Sequence, residues 1–494
     1  MLPLLLFFVM LLAYWWWKQF RLNLTEPPSF PGAWPILGHV HLVVGDDLHL
    51  WQTVNEMVDT SYIMGGVGSA FIGPRTVYVI TDPDECFTVA NACLEKDGFY
   101  DFAKPWLGDG LVTGKLSIWR NHRKLLNPAF SQTVLDRFIG VLNSQSRRLV
   151  KDLSAEVGQG EFDHWKYTRQ NALETICLTA LGVDISDATM LSSQYMEAAE
   201  ELFKALVERF QKFWWHSPYT FKYSGLKKSQ DANLKIVHNM SDAVLQRRKS
   251  EMNGNIVKDI INNNVDYIPG RKYKAFMDLL LELSIEKGVL NDREIREHVD
   301  TMIVGGHDTS ANVMMYTMIL LGSHPEVQEK ALAEVKEVLG DTDRDIDKHD
   351  LSKLVYLEAV LKESMRVYTI VPIIARKLDK NVKLKNCTLK AGRTCFMFLF
   401  GIHRHPVWGP DADQFKPERW LDPSTLPDTP NAFTGFGVGR RMCIGKAYAL
   451  MSMKITLAQL LRHYRLKADH TKLVLKFDVM LKPLSGHHIS IEKR

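Results

Sequence analysis

Residues 291–322 read as one long helix, and that segment constrains the fold more than any other. Asn291 and Asp292 offer an N-cap, and His324-Pro325-Glu326 opens a second helix behind it, with proline in its first turn. At a rise of 1.5 Å per residue, a helix of about 30 residues is roughly 45 Å long, enough to cross a whole domain. The rest of the chain therefore has to be wrapped around it. Other helices are expected over about 353–368, stopping before Pro372, and from about Gly445 onward. Short strand-like stretches lie at 76–80 and around 380–400. Because the strands come from both ends of the chain, the spacing predicts a single, mainly α domain with a minor β part.

The chain has 494 residues, 46% of them hydrophobic, so a large core can be buried. Charged residues make up 24%, an ordinary globular value that excludes disorder or coiled coil as the main state. A net charge of +4 is too mild to point to nucleic acid. The six cysteines form no CxxC pair, which argues against a zinc site or a disulfide framework and for a reducing compartment.

Residues 2–17 carry no charged side chain and close on Tyr14, Trp15, Trp16 and Trp17, with Lys18 and Arg21 just beyond. A cleaved signal peptide needs basic residues before the apolar run and small residues after it, and neither is present. An extreme N-terminus seldom supplies a buried core helix. An aromatic belt followed by positive charge fits an uncleaved signal anchor over 1–21, with the remaining chain in the cytosol. Residues 22–38 are rich in proline and read as a stiff hinge, leaving 39–494 as the globular body.

Four constellations carry chemistry. In Phe436-Gly437-Val438-Gly439-Arg440-Arg441-Met442-Cys443-Ile444-Gly445, one cysteine stands between glycines at the mouth of a helix. Helix amides favour a thiolate there, and such a thiolate can be the axial ligand of heme iron. An isolated cysteine is more often a small core residue, and the glycines miss the dinucleotide pattern GxGxxG. In Glu363-Ser364-Met365-Arg366, the two charges share a helix face, and Pro417-Glu418-Arg419-Trp420 stands downstream. Gly305-Gly306-His307-Asp308-Thr309-Ser310 places two glycines in the middle of the long helix, where a kink or a water-filled opening is expected beside an acid and an alcohol able to relay protons. A helix–helix packing notch is the plain alternative. Trp119 and Arg123 lie one helical turn apart, and Arg376 follows an extended stretch. Taken singly these arginines are ordinary solvated residues. Arg123, Arg376 and Arg441 together are able to neutralise the two carboxylates of a heme.

With these motifs in this order, the chain resembles a microsomal cytochrome P-450, a heme-thiolate monooxygenase. The segment from Asp300 to Thr309 looks most like the fourth clan, which includes many insect enzymes. The resemblance implies that Cys443 is the iron ligand and that Glu363, Arg366 and Arg419 form a structural triad. It implies that Trp119, Arg123, Arg376 and Arg441 bind the propionates, with Phe436 and Gly445 beside the cofactor, and that Asp308 and Thr309 serve oxygen activation. It further implies heme b, an NADPH-cytochrome reductase, a possible cytochrome b-type second donor, O2 and an endoplasmic reticulum membrane with the catalytic body facing the cytosol. The pocket is expected to be bounded by 99–111, 203–215, Val304, 369–374 and 479–481, an apolar lining suited to a lipophilic small molecule. Gly305 stands where fatty-acid hydroxylases of the clan often carry the glutamate that esterifies heme. The heme is therefore expected to be held non-covalently, and a fatty-acid substrate is put in doubt. Two other readings stay open: a heme-thiolate isomerase or dehydratase that needs no reductase, and a non-catalytic heme binder.

Overall fold

The computed structural model describes residues 25–494 apart from 74, 184, 186–188, 263–275 and 286, together with residues 3, 6, 7, 9, 10, 12 and 13. Counting helices of ten residues or more, the described elements run α1 (Asp47–Ile63), α2 (Pro83–Ala92), α3 (Leu116–Leu126), α4 (Ile139–Leu153), α5 (Trp165–Ile176), α6 (Thr189–Gln211), α7 (Gly225–Asn262), α8 (Phe276–Ile285), α9 (Asp292–Ser323), α10 (Pro325–Leu339), α11 (Val355–Val367) and α12 (Lys446–His463). The longer strands are β1 (Val67–Ile72), β2 (Arg75–Ile80), β3 (Ile373–Lys377), β4 (Thr394–Phe398), β5 (Tyr464–Lys467), β6 (Leu475–Asp478), β7 (Met480–Pro483) and β8 (His488–Lys493). The protein is mainly helical with a minor sheet part, as the sequence predicts.

Helix α9 is the axis of the molecule. Its N-terminus is closed by a reciprocal cap: Glu294 N donates to Asn291 Oδ1 at 3.0 Å, and Asn291 N donates to Glu294 Oε2 at 2.9 Å. Asp292 and Glu294 also complement the positive end of the helix. The helix packs against α5, α7, α11, α12 and β5, so nearly every residue from Ala311 to Gly322 is buried. Glycine is required at Gly322, where a Cβ would stand 2.7 Å from Ala468 N. The helix assignment of α9 continues through Gly305-Gly306. At Gly306 a Cβ would come within 2.6 Å of Ile176 on α5, so close helix packing accounts for a glycine there despite its poor helix propensity.

The main sheet has the order β1-β2-β4-β3. Strand β2 pairs in parallel with β4, from Val77 opposite Thr394 to Ile80 opposite Met397, which ties the two ends of the chain into one body. Val77, Tyr78, Val79 and Ile80 are all buried, as expected of an inner strand covered on both faces. The proline-rich segment is tied to this sheet as well as to what precedes it. Phe30 N donates to Ser69 O at 2.9 Å and Ser69 N to Pro28 O at 2.7 Å, so part of the stretch read as a hinge lies along the edge of β1. Prolines are tolerated there because an edge leaves some amides unpaired. The anchor expected over 1–21 lies for the most part outside the described residues. Among the described residues, no helix is long and apolar enough to cross a membrane.

The cap of α9 is testable. Asn291→Ala should lower stability by about 1 kcal/mol and Asn291→Asp should largely retain it, measured by urea unfolding.

Candidate active site

The cysteine loop connects a short turn at Pro430–Ala432 to α12. Gly437 (φ +79°) and Gly439 (φ +70°) take left-handed conformations, and at Gly439 a Cβ would come within 2.9 Å of Ala90 on α2. The loop closes on itself where Cys443 N donates to Phe436 O at 2.9 Å. Gly445, the residue before α12, directs its amide at the Cys443 sulfur. The Cys443 side chain is accessible although protein atoms surround it closely, so it lines an internal cavity instead of the outer surface. Burial pushes its thiol pKa up, and the Gly445 amide and nearby Arg123 offset this only in part. The helix N-terminus alone therefore does not ionise the thiol, and a metal cation at the sulfur would complete the task.

A buried carboxylate supports this loop from behind. Arg366 reaches Glu363 through Nε (2.9 Å) and Nη2 (2.8 Å) on α11, and Arg419 Nε reaches the same carboxylate at 2.9 Å. Trp420 Nε1 (2.9 Å) and Lys416 N (3.1 Å) complete its coordination. Arg366 also donates to the carbonyls of His403 (3.0 Å) and Gln414 (2.9 Å), which pins the irregular segment leading to the loop. His403 continues the frame: its Nδ1 meets Thr369 Oγ1 at 2.7 Å, and its Nε2 accepts from Thr434 N at 2.8 Å, just upstream of the glycines. Burial and the neighbouring arginines lower its pKa to about 3, so it stays a neutral hydrogen-bonding bridge. The sequence reading missed His403, because its partners are distant in the chain.

Three cations converge near the cavity, and among the described residues Glu95 is the carboxylate that acts on Arg441. Arg376 is 1% exposed and its Nε has no partner; Arg441 Nε and Nη1 are likewise buried without one. Burial and Arg376 lower the Arg441 pKa to about 10. Lys96, which bridges to Arg376 through the backbone, is pushed well below its ordinary range by burial, Arg376 and Arg441. Arg441 lies over the buried Trp119 ring at 4.6 Å. Unpaired buried charge is costly, so this cluster requires an anionic occupant. A planar cofactor with two carboxylates and a metal beside Cys443 satisfies both deficits, and heme b fits. Lys96 was not read from the sequence, since only the fold brings it beside Arg376. Arg123 donates to Met442 O at 3.0 Å and to Asn127 Oδ1 at 2.9 Å.

On α9, Gly305 is exposed, with nothing within 4 Å of where a Cβ would stand. Thr309 Oγ1 donates back to Gly305 O at 2.7 Å and leaves its lone pairs free. Asp308 is fully buried and points elsewhere, with Oδ1 3.1 Å from Arg169 Nε. The acid and the alcohol, adjacent in sequence, thus have different surroundings. The expected apolar wall is partly assembled: Phe99 meets Phe210 edge-on at 4.9 Å and stacks on Phe396 at 5.8 Å, and Trp106 lies 5.3 Å from Phe203. Phe213 and Trp214, in the same aromatic run, are turned outward.

Residues 27–489 match the family described as cytochrome P-450. Cytochrome P-450 4V2 of Homo sapiens is 31% identical over 478 residues, spanning 94% of this chain and 90% of the relative. The Mus musculus protein of that name is 32% identical over 476 residues, with the same coverage of 94% and 90%. Cytochrome P-450 4c3 of Drosophila melanogaster is 31% identical over 478 residues, spanning 94% of this chain and 89% of the relative. All three carry the family number 4, in line with the fourth-clan resemblance.

Removing the Glu363 carboxylate would leave two buried guanidinium groups unpaired. Glu363→Ala should therefore cost roughly 3–5 kcal/mol and yield protein with little bound heme, measured as heme per polypeptide after purification.

Proposed function

The chain belongs to the cytochrome P-450 family of heme-thiolate monooxygenases, and on that premise we propose that Cys443 is its thiolate ligand and that its substrate is a lipophilic small molecule. The observation that carries this reading is the accessible but enclosed Cys443 sulfur, together with the unpartnered guanidinium nitrogens of Arg376 and Arg441. In this reading Arg376, Arg441, Lys96 and Trp119 hold the propionates and Arg123 braces the cysteine side, with Phe436 and Gly445 against the cofactor. The chemistry supplied by bound heme is the reductive cleavage of O2 and the insertion of one oxygen atom into a C–H bond. Phe99, Phe203, Phe210 and Phe396 orient an apolar substrate and exclude water. Thr309 holds a proton donor at its free lone pairs, and Asp308 supplies protons from the buried side of α9. Gly305 offers no carboxylate, so the heme stays non-covalent.

Electrons are proposed to come from NADPH through a flavoprotein reductase, with a cytochrome b-type protein as a possible second donor. Arg440 and Lys446 are exposed beside the cysteine loop, and Lys115, Arg120 and Lys124 are exposed on or next to α3. The two elements are joined by Arg123 on Met442 O and by Arg441 Nη2 on Gly114 O at 2.8 Å, so the basic patch is continuous. Arg441 itself turns inward and is not part of the docking face. A membrane location in the endoplasmic reticulum, with residues 1–21 as anchor and 39–494 as the cytosolic catalytic body, is supported by exposed Trp34, Ile36, Leu37, Phe213 and Trp214. Gln211, two residues before Phe213, donates through Nε2 to Gly45 O at 3.2 Å, in the segment that follows Leu37. Such an apolar face suits a bilayer surface.

Cys443→Ser should abolish oxygenated product, because a serine hydroxyl stays un-ionised at neutral pH. Wild-type rates in this variant, measured by product formation with reductase and NADPH, would refute the assignment. Charge reversal at Arg120 and Lys446 should slow heme reduction by the reductase most at low salt, measured by stopped flow. Unchanged kinetics at every salt concentration would exclude the patch.

A further inference from the structure

The face of α9 turned to α7 carries an acid whose neighbours stop short of it. Asp300 is 1% exposed, and Ser241 on α7 meets its Oδ1. Arg296 Nε and His238 Nε2 each stand 3.9 Å from Asp300 Oδ2. Among the described residues, neither Asp300 Oδ2 nor Arg296 Nε has a hydrogen-bond partner. His238 Nε2 is engaged elsewhere, 3.2 Å from Trp106 O in the short helix Lys104–Leu107. A carbonyl only accepts, so Nε2 carries the imidazole proton. The Trp106 ring in turn lies 5.3 Å from Phe203 on α6.

The hydrogen-bond count favours a neutral Asp300. Ser241 Oγ is within reach of Val237 O, at 3.2 Å, as well as of Asp300 Oδ1, and it has one proton to give. With Asp300 neutral, its O–H donates to Ser241 Oγ and Ser241 donates to Val237 O, so both contacts are satisfied. An ionised Asp300 would leave a charged oxygen buried without a donor, a larger cost than a neutral one. Burial pushes the carboxyl up to about 7, in the same sense. The other charges acting on it are Arg296 and Glu297 on α9, the latter paired with Arg293 at 2.9 Å, and Asp242 on α7. Tyr195 on α6 stays neutral, its hydroxyl raised well above the ordinary range by burial. Lys104, on the helix that carries Trp106, is paired with Asp101 at 3.0 Å and Asp109 at 3.3 Å. Burial lowers the His238 pKa, so the imidazole is neutral where Asp300 titrates.

We propose that Asp300 is a positioning residue that sets the substrate pocket through His238 and Trp106, according to whether it carries a proton. The inference rests on the reading of Trp106 and Phe203 as pocket wall. While Asp300 is neutral, the His238 N–H stays on Trp106 O and latches the wall to α7. When Asp300 gives its proton to solvent, Oδ2 becomes a charged acceptor and the stronger partner. His238 Nε2 and Arg296 Nε then close the remaining gap to it, Trp106 O loses its donor, and the wall is released. Apolar ligands are therefore held more tightly below pH 7 than above it.

The test uses the full chain with heme bound and octane, which does not titrate, as the lipophilic probe. Two readouts are followed through pH 7: the dissociation constant, from the spin-state change of the heme, and the infrared band of protonated carboxyl groups. In wild type the constant should rise several-fold with pH, and a carboxyl band should fade over the same range. Asp300→Asn, which mimics the neutral acid, should remove that band and keep tight binding at every pH. Ser241→Ala removes a hydroxyl that donates to the carboxylate, so both titrations should move to higher pH together. His238→Leu should bind octane weakly at every pH while keeping the band. Asp300→Asn protein whose affinity follows the wild-type pH profile would overturn the proposal. So would a wild type without a band that Asp300→Asn removes, or Ser241→Ala protein in which band and affinity titrate apart. Trp106→Leu checks the premise, since the carbonyl stays and the ring goes. If it weakens octane binding while Asp300→Asn leaves the pH profile unaltered, the latch falls and the wall reading stands. If it leaves octane binding unchanged, the wall reading falls and takes the latch with it.

Discussion

The Glu363 carboxylate is the interaction on which the catalytic half of the molecule depends. It is buried completely, yet two guanidinium groups, an indole N–H and a backbone amide saturate it. A carboxylate in that position is stable only when its coordination is complete, which makes the arrangement cooperative. Through Arg366 it fixes the carbonyls of His403 and Gln414, and through His403 the order passes to Thr434 and the cysteine loop. A loop of irregular backbone with two left-handed glycines thus acquires the rigidity of the helix behind it.

A second constraint is charge. A protein that buries Arg376 and holds partly buried Arg441 and Lys96 close to it, with guanidinium donors unpartnered, is shaped for an anionic occupant. The thiol of Cys443 poses the complementary problem, since its burial disfavours the anion that a metal ligand must be. Heme b answers both, with carboxylates for the cations and a metal for the thiolate.

Much of this was legible in sequence where the chemistry is local. The cap of α9 is written in Asn291 and Glu294, three residues apart. The spacing of Glu363 and Arg366 fixes a shared helix face, and the glycines around Cys443 announce a turn that only they tolerate. What escaped depends on contacts between distant segments. Lys96 meets Arg376 across the fold, and His403 is a structural bridge only because Thr369 and Thr434 close around it. Of the two glycines of α9, Gly306 lies against Ile176 whereas Gly305 faces open space, a difference the sequence does not carry. Asp308 adjoins Thr309 in sequence, but helical geometry turns it toward Arg169 and the C-terminal hairpin. The aromatic run of residues 203–215 divides between cavity and surface, a distinction composition does not carry.

The central claim is that Cys443 supplies the iron ligand as a thiolate. The absorption spectrum of the reduced protein under carbon monoxide tests it most directly. The account predicts a strongly red-shifted Soret band in the wild type that is lost in Cys443→Ser. A band at the position of imidazole-ligated heme in the correctly folded wild type, or an unaltered red-shifted band in the variant, would contradict it.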